Sequence, residues 1–439
     1  MLRTLVHRIL PAAVGAALAL APSAVRAQQL SPEERRIAAY VDAHADDAIA
    51  LLERTVNVNS GTHNLAGVRQ VGDIFRAQLD SLGFETRWVE LPDSLHRAGH
   101  LFAELRGRRG KRVLVIGHLD TVFEPGSPFQ RFVRSGPTAS GPGSNDMKGG
   151  DVIAIYALRA LRAAGVLRDR RIIVAFTGDE EAPGRPLSVA RAELIEAGRR
   201  SDAALEFEGA SREEDGTETV VTSRRSSSGW TLSVRARPAH SSGIFAEGVG
   251  SGAIYEAARV LDAFQSTLRE PGLTFSPGMI LGGTEVQLDT GQSRGTAFGK
   301  SNVIAATAIA TGDIRTLTDE QLQRTRERMR QVLATPLAGA QSSITFSDGY
   351  PSMPPTPGNL EILGVLNGVN RSLGLAAAAP NDPGRRGAGD ISFVAPYVSG
   401  IGGLGAHGTG SHTERETVNL ETLPQQIKRA ALLIYRLTR

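Results

Sequence analysis

The chain has 439 residues, with 49 lysine and arginine residues, 46 aspartate and glutamate residues and no cysteine. Its length suits two or three domains with a well-buried core. The lack of cysteine excludes disulfide bonds, thiolate zinc sites and cysteine nucleophiles, so catalysis or metal binding must use other side chains.

Residues 1–27 are typical of a removable secretion signal, with a retained anchor helix as the alternative. Arg3, His7 and Arg8 precede an apolar run over 9–20 that is short for a membrane span, and residues 24–27 offer a small-residue cleavage site. The arginines of this segment account for the excess of basic over acidic residues, so nothing favours nucleic-acid binding. We expect a periplasmic or secreted protein that has no membrane anchor once the signal is removed.

The next part of the chain alternates predicted strands and helices. Apolar periodicity predicts helices over 32–52, 68–82, 150–164 and 186–197, and strands over 84–91, 100–105, 113–117, 171–176 and 203–205. Strand, helix, strand, helix, strand in this order predicts a three-layer α/β domain.

At about residue 220 the pattern changes. Strands over 229–237, 273–281, 302–317 and 343–346, with helices over 251–267 and 318–333, give the β-α-β-β-α-β order of a ferredoxin-like, or split βαβ, α+β domain. Helices over 360–373 and 420–437 then flank two glycine-rich stretches. We therefore predict an α/β catalytic domain in two parts, residues 28–219 and 351–439, with an inserted domain over 220–350.

Four acidic or imidazole motifs lie between residues 112 and 208, each after an apolar run. They contain His118 and Asp120, then Asp146 in the glycine-rich segment 141–150, then Asp179-Glu180-Glu181, and finally Glu206 and Glu208. The carboxyl ends of buried parallel strands meet at one edge of a sheet, where α/β proteins bind ligands. The pattern therefore predicts a metal site.

The residues present suit two metal ions. Without cysteine the ligands must be His, Asp or Glu, and the candidates are His118, Asp146, Glu181, Glu208 and a distant histidine. Asp120 would face the same side as His118 and could accept its imidazole N–H. Glu180 and Glu181 are adjacent and diverge, so that one can bind metal while the other acts as general base and later protonates a leaving amine.

Each motif taken alone has an ordinary alternative. A lone histidine at a strand end is often a hydrogen-bonded core residue, and paired glutamates are often solvated surface. The glycine-rich segment is not followed by Lys-Ser or Lys-Thr at the spacing of a phosphate-binding loop, which argues against nucleotide binding. The conjunction of the motifs in order favours the metal site.

Together, H-x-D-T-V, G-x-G-x-x-D-x-K-G-G and T-x-D-E-E resemble the dinuclear-zinc metallopeptidases that include bacterial glutamate carboxypeptidase, aminoacylase and succinyl-diaminopimelate desuccinylase. The resemblance covers essentially the whole mature chain and implies a zinc-peptidase catalytic domain. It implies that Asp146 bridges two zinc ions, that Asp120 orients a ligand and that Glu180 is the general base. The implied zinc pairs are His118 with Glu208, and Glu181 with His412. His412 lies in G-S-H-T-E-R-E, which is similar to the family's terminal histidine motif, and His407 is the other candidate.

The resemblance also implies a homodimer through the inserted domain. The loop 238–243 is similar to a family loop in which His240 would stabilise the oxyanion across the dimer, although Ser-Ser stands here in place of the usual Ala-Gly. Asn302 and Arg315 resemble positions that hold a substrate carboxylate. The alternative for Arg315 is an ordinary surface arginine on a strand.

The predicted function is that of an exported, zinc-dependent exopeptidase of the carboxypeptidase or dipeptidase type, acting on a peptide or N-acyl amino acid. Cobalt or manganese could replace zinc. The nearest alternative is an N-acyl amino acid deacylase of the aminoacylase type with a different pocket. A non-catalytic binding protein on the same fold is less favoured, because all five ligand candidates and Glu180 are present.

Overall fold

The computed structural model describes residues 29–289 and 293–439. The predicted signal segment lies outside the described residues. Within the described ranges, no helix has both the length and the hydropathy that crossing a bilayer requires.

The helices begin where the sequence offers capping residues. In the first helix the Ser31 hydroxyl accepts a bond from the Glu34 N–H at 3.2 Å, and the Glu34 carboxylate accepts one from the Ser31 N–H at 2.8 Å. The helices of the described residues are α1 (Pro32–Ala43), α2 (Ala45–Val56), α3 (Leu65–Ser81), α4 (Lys148–Ala163), α5 (Leu187–Ala190), α6 (Ala192–Arg199), α7 (Gly252–Thr267), α8 (Asp319–Leu333), α9 (Pro357–Ser372), α10 (Ile391–Val394) and α11 (Leu423–Leu437).

The strands form two larger sheets and three smaller ones. In chain order they are β1 (Glu85–Val89), β2 (His100–Arg106), β3 (Arg109–His118), β4 (Val133–Ser135), β5 (Thr138–Ser140), β6 (Arg170–Thr177), β7 (Ala203–Glu206), β8 (Ser211–Arg212), β9 (Glu218–Val220), β10 (Ser228–Ala236), β11 (Thr274–Gly283), β12 (Glu285–Asp289), β13 (Arg294–Phe298), β14 (Thr307–Arg315), β15 (Ala340–Ser347), β16 (Ala379–Pro380), β17 (Gly400–Ile401), β18 (Gly408–Thr409) and β19 (Thr417–Asn419).

The central sheet has the order β1-β2-β6-β3-β7-β17, in which β6, β3, β7 and β17 are parallel. Alternate residues of β3 enter two different cores. Val113 and Val115 pack with α4 and α11, whereas Leu114 and Ile116 pack with α6 and α10. A continuous apolar run on a strand buried on both faces thus produces the predicted three layers.

The second large sheet is antiparallel, with the order β11-β14-β10-β15. Trp230, Leu232 and Val234 alternate along β10 and form a separate core with α7 and α8. The fold class is therefore confirmed as an α/β unit combined with an α+β unit. The limits at residues 220 and 350 stay a prediction.

Several element predictions were wrong in detail. The helix predicted over 32–52 is two helices that meet at His44, whose backbone is not helical. The His44 ring stacks on Tyr40 and bonds the Tyr40 carbonyl at 2.8 Å. The helix predicted over 186–197 is likewise two short helices. Only β14 forms within the strand predicted over 302–317, and the antiparallel pair of β12 and β13 was not predicted.

Candidate metal centre

Parallel register brings three of the four motifs to one edge of the central sheet. His118 ends β3 opposite Thr177, which ends β6, and Glu206 ends β7 opposite Ile116. The carboxylates of Glu180, Glu181 and Glu208 follow directly after these ends. The strands thus deliver the side chains to one place, as their common direction requires.

Asp146 also lies at this edge, but it does not follow a strand of the central sheet, so its predicted position after a central strand is wrong. It follows β5 of a small sheet and precedes α4. The intervening loop is tight: Gly143 has φ of 76°, and a Cβ there would lie 2.7 Å from the Thr121 methyl. Glycine is required because the backbone is left-handed and space is lacking.

The five predicted ligands lie together around Asp146. Asp146 Oδ1 is 3.3 Å from His118 Nε2, which is also 3.3 Å from Glu208 Oε1. Asp146 Oδ2 is 3.1 Å from His412 Nε2, which is 3.2 Å from Glu181 Oε2. One carboxylate therefore presents one oxygen to each histidine, the arrangement that a bridge between two ions requires.

The donor set fits divalent cations. His118 Nε2 and Glu181 Oε1 are buried and have no hydrogen-bond partner among the described residues. Ligand atoms of His118, Glu180 and Glu208 lie within 4.8 Å of one another, as do those of His118, Asp146 and Glu181. Imidazole and carboxylate donors at such spacing suit zinc, cobalt or manganese.

The pKa shifts of the clustered side chains also favour a bound cation. Burial raises the pKa of Glu181 to about 7, although His412 opposes the rise. The hydrogen bonds that the His412 ring donates to Asp146 and Glu181 raise the pKa of His412 to about 11. Burial would lower the pKa of His118, but Asp120, Asp146 and Glu208 outweigh it and raise that pKa well above its usual value. Carboxylates that crowd together favour positive charge between them, and a bound cation would supply it.

His407, the other candidate for the distant ligand, lies elsewhere. Its Nε2 is 3.7 Å from Glu218 Oε2, whereas His412 has φ of 64° and contacts Asp146 and Glu181. The structure thus brings His412 to the cluster and not His407.

Asp120 is fully buried and joins two parts of the site. Its Oδ1 lies 3.4 Å from His118 Nδ1, and its backbone carbonyl lies 3.1 Å from the same nitrogen. Its carboxylate also accepts bonds from the Glu180 N–H at 3.0 Å, the Glu181 N–H at 3.1 Å and the Thr62 hydroxyl at 2.6 Å. Asp120 can therefore orient the imidazole and the turn that carries both glutamates.

A buried network that the sequence analysis missed supports Glu180. The Glu180 carbonyl accepts a bond from Tyr350 Oη at 2.9 Å, and Tyr350 accepts one from Arg191 at 3.1 Å. Arg191 also bonds Asp179 at 2.5 Å and Asp390 at 2.7 Å. Burial raises the pKa of the Glu180 carboxyl well above its ordinary value, and the charge of Glu208 adds to the rise.

Glu416 was also missed. Its buried carboxylate accepts backbone N–H bonds from Gly143 at 3.2 Å, Asn145 at 2.8 Å and Asp146 at 3.0 Å, so it fixes the loop that carries Asp146. The available signal was its position four residues after His412 in the same motif.

The three residues assigned to substrate contacts do not join the cluster. His240 is exposed and bonds Ser242 Oγ at 2.8 Å, the Asn302 carbonyl accepts from the Ser241 N–H, and Arg315 pairs with Asp313 at 2.9 Å. A cavity of about 240 Å³ beside Glu180, here called the catalytic cavity, is bordered by Asp146, Glu208 and His412, but by none of these three.

Comparisons with known proteins agree on one family. The sequence profile of "Peptidase family M20/M25/M40" matches residues 114–436. Carboxypeptidase G2 of Pseudomonas sp. (strain RS-16) is 27% identical over 399 residues, which cover 88% of each chain. Aminopeptidase PepT of Bacillus cereus has a TM-score of 0.73 and 16% identity, over 90% of this chain and 99% of that one. An M20 family metallo-carboxypeptidase of Sulfolobus solfataricus has a TM-score of 0.63 and 13% identity, over 88% and 98%. The structural likenesses concern the fold.

Proposed function

The chain belongs to peptidase family M20/M25/M40, and from this premise we propose that it is an exported, metal-dependent exopeptidase. Its reaction is hydrolysis of an amide bond in a peptide or N-acyl amino acid. The observation that carries the proposal is Asp146, whose two oxygens lie 3.3 and 3.1 Å from two different histidines. Such a shared carboxylate suits a two-ion hydrolytic centre.

His118 and Glu208 would hold one ion, Glu181 and His412 the other, and Asp146 both. When bound, the ions would polarise the scissile carbonyl and lower the pKa of water. We assign zinc to the site because imidazole and carboxylate ligands suit it, and cobalt or manganese fits the same donors. The dinuclear solved structure of a Bacillus subtilis M20 family peptidase, at 17% identity, supports two ions rather than one.

Glu180 is the proton carrier in this proposal. Its carboxylate borders the catalytic cavity, within 4.8 Å of ligand atoms of His118 and Glu208. It takes a proton from the attacking water and returns it to the departing nitrogen, so that it ends the cycle as it began.

A homodimer through the α+β unit would complete the site. β11 is an edge strand of its sheet, and Tyr255, Ile280 and Phe298 of this unit are exposed at 57%, 52% and 58%. Exposed apolar groups beside an unpaired strand edge favour pairing with a second copy. His240 would then stabilise the oxyanion at the partner's centre, and Asn302 and Arg315 would hold a substrate carboxylate. All three lie outside the catalytic cavity of their own chain.

The test is turnover by the zinc-reconstituted protein on dipeptides and N-acyl amino acids, with Glu180→Gln beside it. We expect Glu180→Gln to keep its metal and to lose about 10²–10⁴ of the rate, because general acid-base catalysis contributes that much. The exposed Glu414→Gln is the matched control. Full turnover by metal-loaded Glu180→Gln would contradict the assigned base. Release of amine from acyl amino acids alone would favour the deacylase.

A further inference from the structure

One wall of the catalytic cavity carries an arginine without a carboxylate partner. Arg386 lies in the glycine-rich loop 384–389, is partly buried, and borders the cavity with Asp146, Glu180 and Glu208. Its single hydrogen bond among the described residues runs from Nη2 to the Gly209 carbonyl at 2.7 Å. Most of the five N–H donors of this guanidinium therefore remain available to a ligand.

The loop that carries Arg386 is held by a different arginine. Arg224 donates to the carbonyls of Gly387 at 2.8 Å and Ala388 at 3.1 Å, and its own charge is paired with Glu206 at 2.6 Å. Arg386 is thus presented by a fixed backbone and is not needed to fix it. A binding group positioned in advance loses less entropy when its ligand arrives.

The other two arginines that border the catalytic cavity have acidic partners. Arg385, the neighbour of Arg386, pairs with Glu213 at 2.5 Å, and Arg224 pairs with Glu206. Burial lowers the pKa of Arg386, and the charge of Arg224 lowers it further, so the charged guanidinium gains from any anion that approaches.

Arg386 also stands where two cavities meet. A second cavity of about 630 Å³ shares Asn145, Gly209, Arg386 and Ser411 with the catalytic cavity. A substrate that places its amide beside Glu180 therefore has room for a further group on the Arg386 side.

We propose that Arg386, a residue separate from Asn302 and Arg315, binds a carboxylate of the substrate in the catalytic cavity. This inference rests on the proposed function, since it assigns a specificity-determining residue to the same cavity. An arginine fork can hold a carboxylate through two parallel hydrogen bonds. A main-chain carboxylate and an acidic side chain offer the same chemistry.

The first experiment is calorimetric titration of the zinc-loaded protein with glutarate, a dicarboxylate without an amide bond. We expect Arg386→Gln to weaken glutarate binding about tenfold or more, because a charge-assisted bond is lost. Arg386→Lys keeps the charge but not the fork, so it should bind with intermediate affinity. Arg415→Gln removes an exposed charge close to His412 and outside both cavities, and should stay within about twofold of wild type. Metal content should be equal in all four proteins.

Unchanged glutarate binding in Arg386→Gln, or none in the wild type, would overturn the inference.

The second experiment compares kcat/KM for Ala-Glu, Ala-Gln and Ala-Gln amide. If kcat/KM of Arg386→Gln falls only for Ala-Glu, the group that Arg386 binds is an acidic side chain. If kcat/KM falls for both Ala-Glu and Ala-Gln but not for Ala-Gln amide, that group is the main-chain carboxylate. An equal loss on all three peptides, or on none, would refute substrate recognition by Arg386. If the wild type cleaves nothing while glutarate binding depends on Arg386, the proposed function fails and the carboxylate site stands.

Discussion

Glu416, in the last part of the chain, holds the loop that carries Asp146, the proposed shared ligand of the two ions. Its carboxylate holds three backbone N–H groups of the loop that ends at Asp146, and it lies four residues after His412. Groups that orient metal ligands typically change metal affinity by 10–100-fold when they are replaced. Glu416 is therefore a positioning residue.

We predict that Glu416→Gln weakens zinc binding by about tenfold or more, because an amide cannot accept all three N–H bonds without turning its own donors toward them. The measurement is a zinc titration against a competing chelator. The exposed Glu414→Gln, two residues away, is the control and should bind zinc as the wild type does. Equal zinc affinity in Glu416→Gln and Glu414→Gln would contradict the positioning role.

At the scale of elements, a buried arginine joins the helical layer to the active edge of the sheet. Arg191, between α5 and α6, is fully buried and bonds Asp179 after β6 and Asp390 before α10. The Thr177 hydroxyl also donates to Asp390 at 2.6 Å. Removal of the arginine would leave two buried carboxylates without their partner.

We predict that Arg191→Met lowers the free energy of unfolding by about 3–5 kcal/mol, the usual cost of removing one partner of a buried ion pair. Urea unfolding measures this. Arg199→Met, on the exposed side of α6, should change stability by about 0.5 kcal/mol or less. A similar small change in Arg191→Met would show that the network does not hold these elements together.

At the scale of the whole molecule, Glu218 on β9 and Arg429 on α11 form a buried ion pair between distant parts of the chain. Burial alone would raise the pKa of Glu218, but His407 and Arg429 outweigh it and lower that pKa to about 2. A folded-state pKa below the unfolded value adds stability above about pH 4.5. That stability is lost as the pH falls toward 2.

We predict that Glu218→Gln lowers the free energy of unfolding by about 3 kcal/mol at pH 7. The loss should be clearly smaller at pH 3, because there the unfolded wild-type carboxyl is protonated while the folded one, with a pKa of about 2, is still mostly ionised. Urea unfolding at both pH values tests this. Glu213→Gln, in a surface pair, should show a difference of about 1 kcal/mol or less at either pH. A constant difference for Glu218→Gln across this range would mean that its charge does not matter.

Assembly is also a property of the whole molecule. If two chains pair through β11, Ile280→Arg should shift the protein from dimer to monomer, because a charge would enter an apolar contact. Sedimentation velocity measures this, and Val133→Arg, at another exposed apolar residue, is the control. A monomeric wild type would contradict the proposed dimer.

The sequence predicted what depends on local pattern. Apolar runs ending at His118, Thr177 and Glu206 were enough to predict parallel strands and a shared edge, because strand direction alone brings their ends together. Asp146 was a ligand candidate from its glycine-rich segment, but it follows no central strand, and its bridging role was predicted only through the family resemblance. Arg191 and Arg386 were missed because their roles depend on residues remote in sequence, and no local spacing marks such contacts. The backbone groups that Glu416 binds are also remote in sequence, and its local signal was its place in the motif of His412.

The proposed centre consists of two cations that share Asp146, and the metal content of dialysed variants tests it most directly. Equilibrium dialysis against zinc followed by elemental analysis should give two ions per chain for the wild type. His412→Ala should keep about one, since His118 and Glu208 remain, and Asp146→Asn should fall below one because both ions lose a shared ligand. Two ions retained by Asp146→Asn, or fewer than two in the wild type, would contradict the proposed centre.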